Sequence, residues 1–216
     1  MTTPERPLPP AIDVIALGAH PAAVKAVRSL LSEMRVVPRL HQRLRDARLA
    51  IVIVPRRVSM TSLPQFASLH GRRTFDGRLW DRVRGTGGMR LPDGRVGVAV
   101  PEENLFGFGD DPYPSLAIAV HEIAHSIHDR VLDDDDKALV ERAYQARVAS
   151  GAPFADAYAR SNAREYFAEG ANAFFGRWPN RQYRDASWLY DHDRVLYAIM
   201  VHVFGAPRRA PVDTRS

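Results

Sequence analysis

The sequence predicts an α+β fold: a small twisted sheet beside one long helix, followed by a helical C-terminal lobe. Three observations predict it. Leu49 to Val54 (LAIVIV) is an unbroken apolar run closed by Pro55, as a strand buried on both faces would be. Ala117 to Asp129 (AIAVHEIAHSIHD) has the apolar flanks of a buried helix. After residue 131 the punctuation is that of helices, with caps and glycine stops but no alternating runs. At 216 residues the chain is expected to be a single domain, with an upper lobe over about 11–131 and a lower helical lobe over about 132–205. The helix at 115–131 would floor the cleft between them.

Residues 1–10 carry four prolines and read as a loose arm. Asp13 to Leu17 reads as a short strand. Pro21 stands where a first helical residue would, and Val24, Val27, Leu30, Leu31 and Met34 follow at helical spacing, before Pro38. Leu40 to Ala47 suits a second, short helix. From Arg56 to Arg95 the pattern dissolves among Gly71, Gly77, Gly85, Gly87, Gly88 and Gly94, with Trp80 and Val83 as anchors. The GTGG run at 85–88 lacks the strand and helix flanks of a dinucleotide loop. Arg95 to Val100 reads as a strand after the Asp93-Gly94 turn. As a neighbour of the long helix it would offer a substrate an exposed edge or be an ordinary sheet strand.

The long helix is expected from about Ser115, its N-cap after the breakers of 111–115, to Val131. Asp133 to Asp136 reads as a solvated loop whose last aspartates cap a helix from Lys137 to Ser150; it lacks the spacing of a calcium loop. Ser161-Asn162 suits the cap of a helix through Phe175, closed by Gly176 and Pro179. A final helix is expected from about Trp188 to Phe204, and the last ten residues read as a frayed end.

Composition narrows the chemistry. There is no cysteine, which excludes disulfides, thiolate-held metal and a cysteine nucleophile. The net charge is +5, but the arginines are scattered, so no nucleic-acid partner is expected. The N-terminus shows no signal peptide and no stretch reads as a membrane span, which leaves the location open between cytoplasm and non-classical export.

His121-Glu122-Ile123-Ala124-His125 is an HExxH motif. Residues i and i+4 share a helix face, so two imidazoles can reach one zinc ion, with the glutamate between them placed as a base. Catalytic zinc takes three protein ligands and leaves one position open. His128 lies about 10 Å along the same helix from His121, too far to complete the set. Glu165 and Glu169, again i and i+4 in an apolar helix, can complete it from elsewhere. The natural assignment makes Glu165 the third ligand and Glu169 the acceptor for a ligand histidine's other N–H. The competing assignment pairs both with Arg160, Arg164 or Arg177 at the surface.

A glutamate ligand with a second acid four residues on, downstream of HExxH, resembles the gluzincin pattern. More narrowly, Tyr158 through Glu169 (YARSNAREYFAE) resembles the matching stretch of the anthrax lethal factor protease domain and its relatives, the Pro-Pro endopeptidases. GRLWDRVRGTGG (77–88) and VAVPEEN (98–104) also look like features of that family, and the resemblance spans about 49–176. It implies a zincin-like fold, one Zn2+ held by His121, His125 and Glu165, and hydrolysis of a peptide or protein substrate. In that family a tyrosine seven residues before the ligand glutamate faces the active site. Tyr158 holds that place and would steady the oxyanion, although a lone tyrosine also suits a core. Glu122 would be the general base. Two other readings are a regulatory metalloprotease with a single protein substrate and a catalytically inactive zincin used as a binding module. The second has no need of Glu122 or Tyr158.

Overall fold

The computed structural model describes residues 12–74, 77–106, 116–177 and 184–207. The expected N-terminal arm, the breakers at 111–115 with Ser115, Pro179 and, of the expected frayed end, residues 208–216 lie outside them.

Among the described residues, four strands form one sheet: β1 (Asp13–Ile15), β2 (Leu49–Val54), β3 (Thr86–Arg90) and β4 (Val96–Pro101). Their order is β1-β2-β4-β3, with β1, β2 and β4 parallel and β3 antiparallel to β4. Every residue of β2 and β4 is buried. The reason lies in the two cores. Leu49, Ile51, Ile53, Val96, Val98 and Val100 face one cluster, made mostly with helices. Ala50, Val52, Val54 and Ala99 face a second, with Met60, Phe66, Leu69 and Leu91. A strand covered on both sides has no polar face to alternate with.

The second cluster corrects the expectation for 56–95. That segment is the cover of the sheet's second face, built from three short 3-10 turns and the strand β3, which the sequence did not signal. β4 is interior to the sheet and offers no edge; the edge beside it is β3.

The first helices fall where proline and periodicity place them: α1 (Pro21–Glu33), capped by the His20 side chain, and α2 (His41–Ala47). After β4 comes the short α3 (Glu102–Phe106). Glu102, buried at its start, accepts from the backbone N–H groups of His20 and Arg56 and so ties the loops after β1 and β2 to the end of β4.

The long helix is α4 (Ala117–Arg130), packed against β3 and β4 on one side. α5 (Asp134–Ser150) starts three residues earlier than expected, because Asp133, the first of the acidic run, is the cap and accepts from Asp136 N–H at 2.8 Å. Asp136 is then free to turn inward, where it is 5 % exposed and holds Arg39 at 2.8 Å and His202 at 2.9 Å. That use of the acidic run leaves no calcium loop.

α6 (Ala163–Phe174) is capped by Asn162 and lies against α4. The expected final helix is two, α7 (Ala186–His192) and α8 (Arg194–Phe204). Asp193 breaks it. Its Oδ1 accepts from Leu196 N–H at 3.0 Å, and its Oδ2 takes the Tyr166 hydroxyl at 2.6 Å and Arg147 at 2.8 Å. A buried carboxylate with three partners outweighs the continuity of one helix. Among the described residues no helix is long and apolar enough to cross a membrane.

Candidate metal centre

Two helices supply the site. α4 carries His121, Glu122 and His125 on one face; α6 presents Glu165 and Glu169 to it. Both glutamates are buried, at 3 % and 6 % exposure, on a helix of which eleven of the twelve residues are buried and Arg164 is the one cation.

The Glu165 Oε2 atom lies 3.1 Å from His121 Nε2 and 3.1 Å from His125 Nε2. It is fully buried and yet makes no hydrogen bond, since neither imidazole meets it in hydrogen-bonding geometry. Three donor atoms thus converge on a common point. Among the described residues these three form the group whose ligand atoms all lie within 4.8 Å of one another. A tetrahedral ion with bonds of about 2.1 Å spaces its ligand atoms by about 3.4 Å, close to the separations seen. A His2Glu set is also one that catalytic zinc takes. The residues therefore fit a metal ion.

His121 is held from both sides. Its Nε2 faces Glu165, and its Nδ1 meets Glu169 Oε1 at 2.9 Å. Glu169 is in turn steadied by Asn172, which donates to Oε2 at 3.2 Å. A ring nitrogen engaged by a carboxylate fixes the tautomer and the orientation of the other. Burial disfavours the His121 imidazolium, but Glu165 and Glu169 outweigh it, with help from Glu122, and its pKa is held up at about 10. His125 goes the other way: burial pushes its pKa down and the nearby His121 charge adds to this. Burial would raise the Glu165 carboxyl, yet the two imidazoles hold it well below the usual carboxylate range.

Glu122 is half-buried, and a Cβ on Gly85 would lie 3.5 Å from its Cγ. Here the GTGG run finds its physical reason. A Cβ on Gly87 would lie 2.3 Å from the Glu122 carbonyl oxygen, and one on Gly85 would lie 2.7 Å from Ile118 Cγ2. Ser126 Oγ accepts from Gly88 N–H at 2.8 Å and donates to the Glu122 carbonyl at 3.0 Å, stapling β3 to α4. The sequence displayed these glycines but not their partner helix.

Tyr158 stands in the turn before α6, with its ring centroid 5.8 Å from that of His121. It is 43 % exposed, which a core tyrosine would not be. His128 is not with the ligands: it pairs with Asp129 at 3.0 Å and packs on Phe167, as its distance along the helix requires. Sequence reasoning passed over Asn172, Ser126 and the Asp129–Arg164 pair; each residue lies within four positions of a named site residue, but the partners of Ser126, Asp129 and Arg164 come from other elements.

No protein-family model matches the sequence, and no curated protein matches it. Among solved structures, the chain is similar to the Pro-Pro endopeptidase from Paenibacillus alvei. The TM-score is 0.58 over 87 % of this chain and 95 % of that one, at 22 % sequence identity. At that identity the likeness is one of fold: the mixed α+β architecture of this chain is one that a peptidase also adopts.

Proposed function

We propose that the chain is a zinc-dependent endopeptidase of the gluzincin type, with a single zincin-like domain. The observation that carries this is the convergence of His121, His125 and Glu165 on one point, with Glu169 behind His121 and Glu122 alongside. The fold likeness to a Pro-Pro endopeptidase supports the same reading.

His121, His125 and Glu165 would hold one zinc ion, and Glu169 would orient His121. Zinc supplies, when bound, a Lewis acid that polarises a carbonyl and lowers the pKa of water. Glu122 accepts the proton of the attacking water and delivers it to the leaving amine, the work of a carboxylate held beside the ligands without being one. The Tyr158 hydroxyl donates to the oxyanion as charge develops on it, from the exposed side of His121. The substrate is a peptide or protein lying along the α4 face that bears His121 and Glu122. We assign no proline preference, because the side chains that select residues on either side of the cleaved bond are not identified.

The test joins metal analysis to cleavage. The protein should contain one zinc per chain and cut members of a broad peptide library. Glu122→Ala should keep the zinc and lose the cutting. Cleavage by Glu122→Ala at the wild-type rate would overturn the mechanism.

A further inference from the structure

Arg164 is the second residue of α6 and precedes the proposed ligand Glu165. Its Nε donates to both oxygens of Asp129, at 3.0 and 3.2 Å. Its Nη1 stands 3.6 Å from Glu165 Oε1, an ion pair longer than a hydrogen bond. Asp129 lies on α4, one turn past His125, and is itself pinned by His128 at 3.0 Å. The guanidinium is therefore fixed between the two helices that make the metal centre. The two oxygens of Glu165 have separate duties: Oε2 faces both imidazoles and Oε1 faces Arg164.

A carboxylate binds a metal through one oxygen or through both. Two-oxygen binding by Glu165 would consume the position that a catalytic zinc must leave open. A guanidinium is planar and always charged, and here the Asp129 carboxylate on Nε anchors it, so it suits the task of detaining one oxygen. We infer that Arg164, clamped by Asp129, is a positioning residue that keeps Glu165 a one-oxygen ligand. The inference rests on the proposal that His121, His125 and Glu165 hold a metal ion.

The sign of one measurement separates positioning from mere charge. A guanidinium near a dication repels it, so if Arg164 were only a neighbouring charge, removing it would tighten metal binding. Loss of an orienting partner weakens binding instead, typically by about 10–100-fold. The experiment uses the full chain and two metals. Zinc affinity is measured by chelator competition, and Co2+ is added alone to record its visible absorption, which is intense in four-coordinate sites and weak in five- or six-coordinate ones. Arg164→Ala and Asp129→Ala should each bind zinc about 10–100-fold more weakly. Both should lose cobalt band intensity as Glu165 swings onto both oxygens. Arg164→Lys keeps the charge without the planar group anchored through Nε and should follow them. Circular dichroism checks that each variant is folded; the two variants that leave the α6 charge or the Arg164 side chain in place keep the test open if Arg164→Ala does not fold. A cobalt spectrum that is unchanged in the folded variants, or zinc binding that is unchanged or tighter, overturns the inference and leaves the metal centre standing. Wild-type protein that takes up neither metal overturns both.

Discussion

Gly87→Ala tests whether β3 and α4 are built as one unit. The added Cβ would lie 2.3 Å from the Glu122 carbonyl oxygen and 3.1 Å from Ser126 Oγ. The first distance is about 1 Å inside ordinary contact. The obstacle is helix backbone, which cannot step aside as a side-chain tip can, so β3 must lift from α4 by about that amount. Overpacking of this kind costs about 1–3 kcal/mol. Lifting also breaks the Gly88 N–H bond to Ser126 Oγ, for about 1 kcal/mol more. Alanine's stiffer unfolded chain returns about 0.4–1 kcal/mol. The net loss is about 1–3 kcal/mol, which for a chain of this length lowers Tm by about 3–10 °C. Because the disturbed carbonyl belongs to Glu122, activity should suffer more than stability: a misplacement of about 1 Å can cost about 100-fold in rate. Thermal unfolding and peptide cleavage read the two effects. Ser126→Ala is the control, since it removes the hydrogen bond without the steric load and should lose about 1 kcal/mol. Gly87→Ala with the wild-type Tm and cleavage rate would refute the claim that these glycines exist for the close approach.

On the metalloprotease proposal, Glu165→Ala should abolish tight zinc binding, whereas Glu169→Ala should weaken it by about 10–100-fold, as read by chelator competition; the opposite order would exchange their roles. Tyr158→Phe should leave zinc affinity intact and lower kcat by about 100–1000-fold, the cost of one oxyanion donor; an unchanged kcat would remove Tyr158 from the chemistry. The Asp81 carboxyl, held by Thr61, the Gly71 N–H and His70, has its pKa lowered to about 2. A depressed carboxylate contributes stability that is complete above its unfolded pKa and is lost as pH falls through the folded one. Denaturation of the wild type and Asp81→Asn should therefore show a constant gap above about pH 5 that shrinks from about pH 4 and is gone by about pH 1; a gap undiminished at pH 2 would count against the network.

The legible parts of the fold were those whose signals are local. Pro21 and its periodic successors gave α1, and the unbroken run at Leu49–Val54 gave a strand buried on both faces. β3 was illegible because TGGMR has two glycines and no alternation; it becomes a strand through β4 on one side and the close approach of α4 beneath it. The cover at 55–91 was illegible for a related reason. Met60, Phe66 and Leu69 reach the sheet at irregular spacing, and their loop is tied by Asp81 to groups ten and twenty residues away. The break at Asp193 was illegible because Tyr166 and Arg147, which commit that carboxylate to its place, come from other helices.

The site shows the same division. HExxH and the Glu165–Glu169 pair are each an i, i+4 spacing, so each could be placed on one helix face without knowing the other. Which glutamate would face the proposed metal depends on how the two helices lie together, and no spacing within either contains that. Here Glu165 Oε2 reaches both imidazoles at 3.1 Å, while Glu169 reaches only the Nδ1 side of His121, at 2.9 Å. His121 is thus the hinge of the arrangement, with Nε2 given to the point it shares with His125 and Glu165 and Nδ1 to a second buried acid. The acid four residues on has its work set by that ring: a histidine whose Nδ1 is engaged can offer Nε2 alone. The asymmetry between the two glutamates follows from the two faces of one imidazole, Nε2 toward Glu165 and Nδ1 toward Glu169.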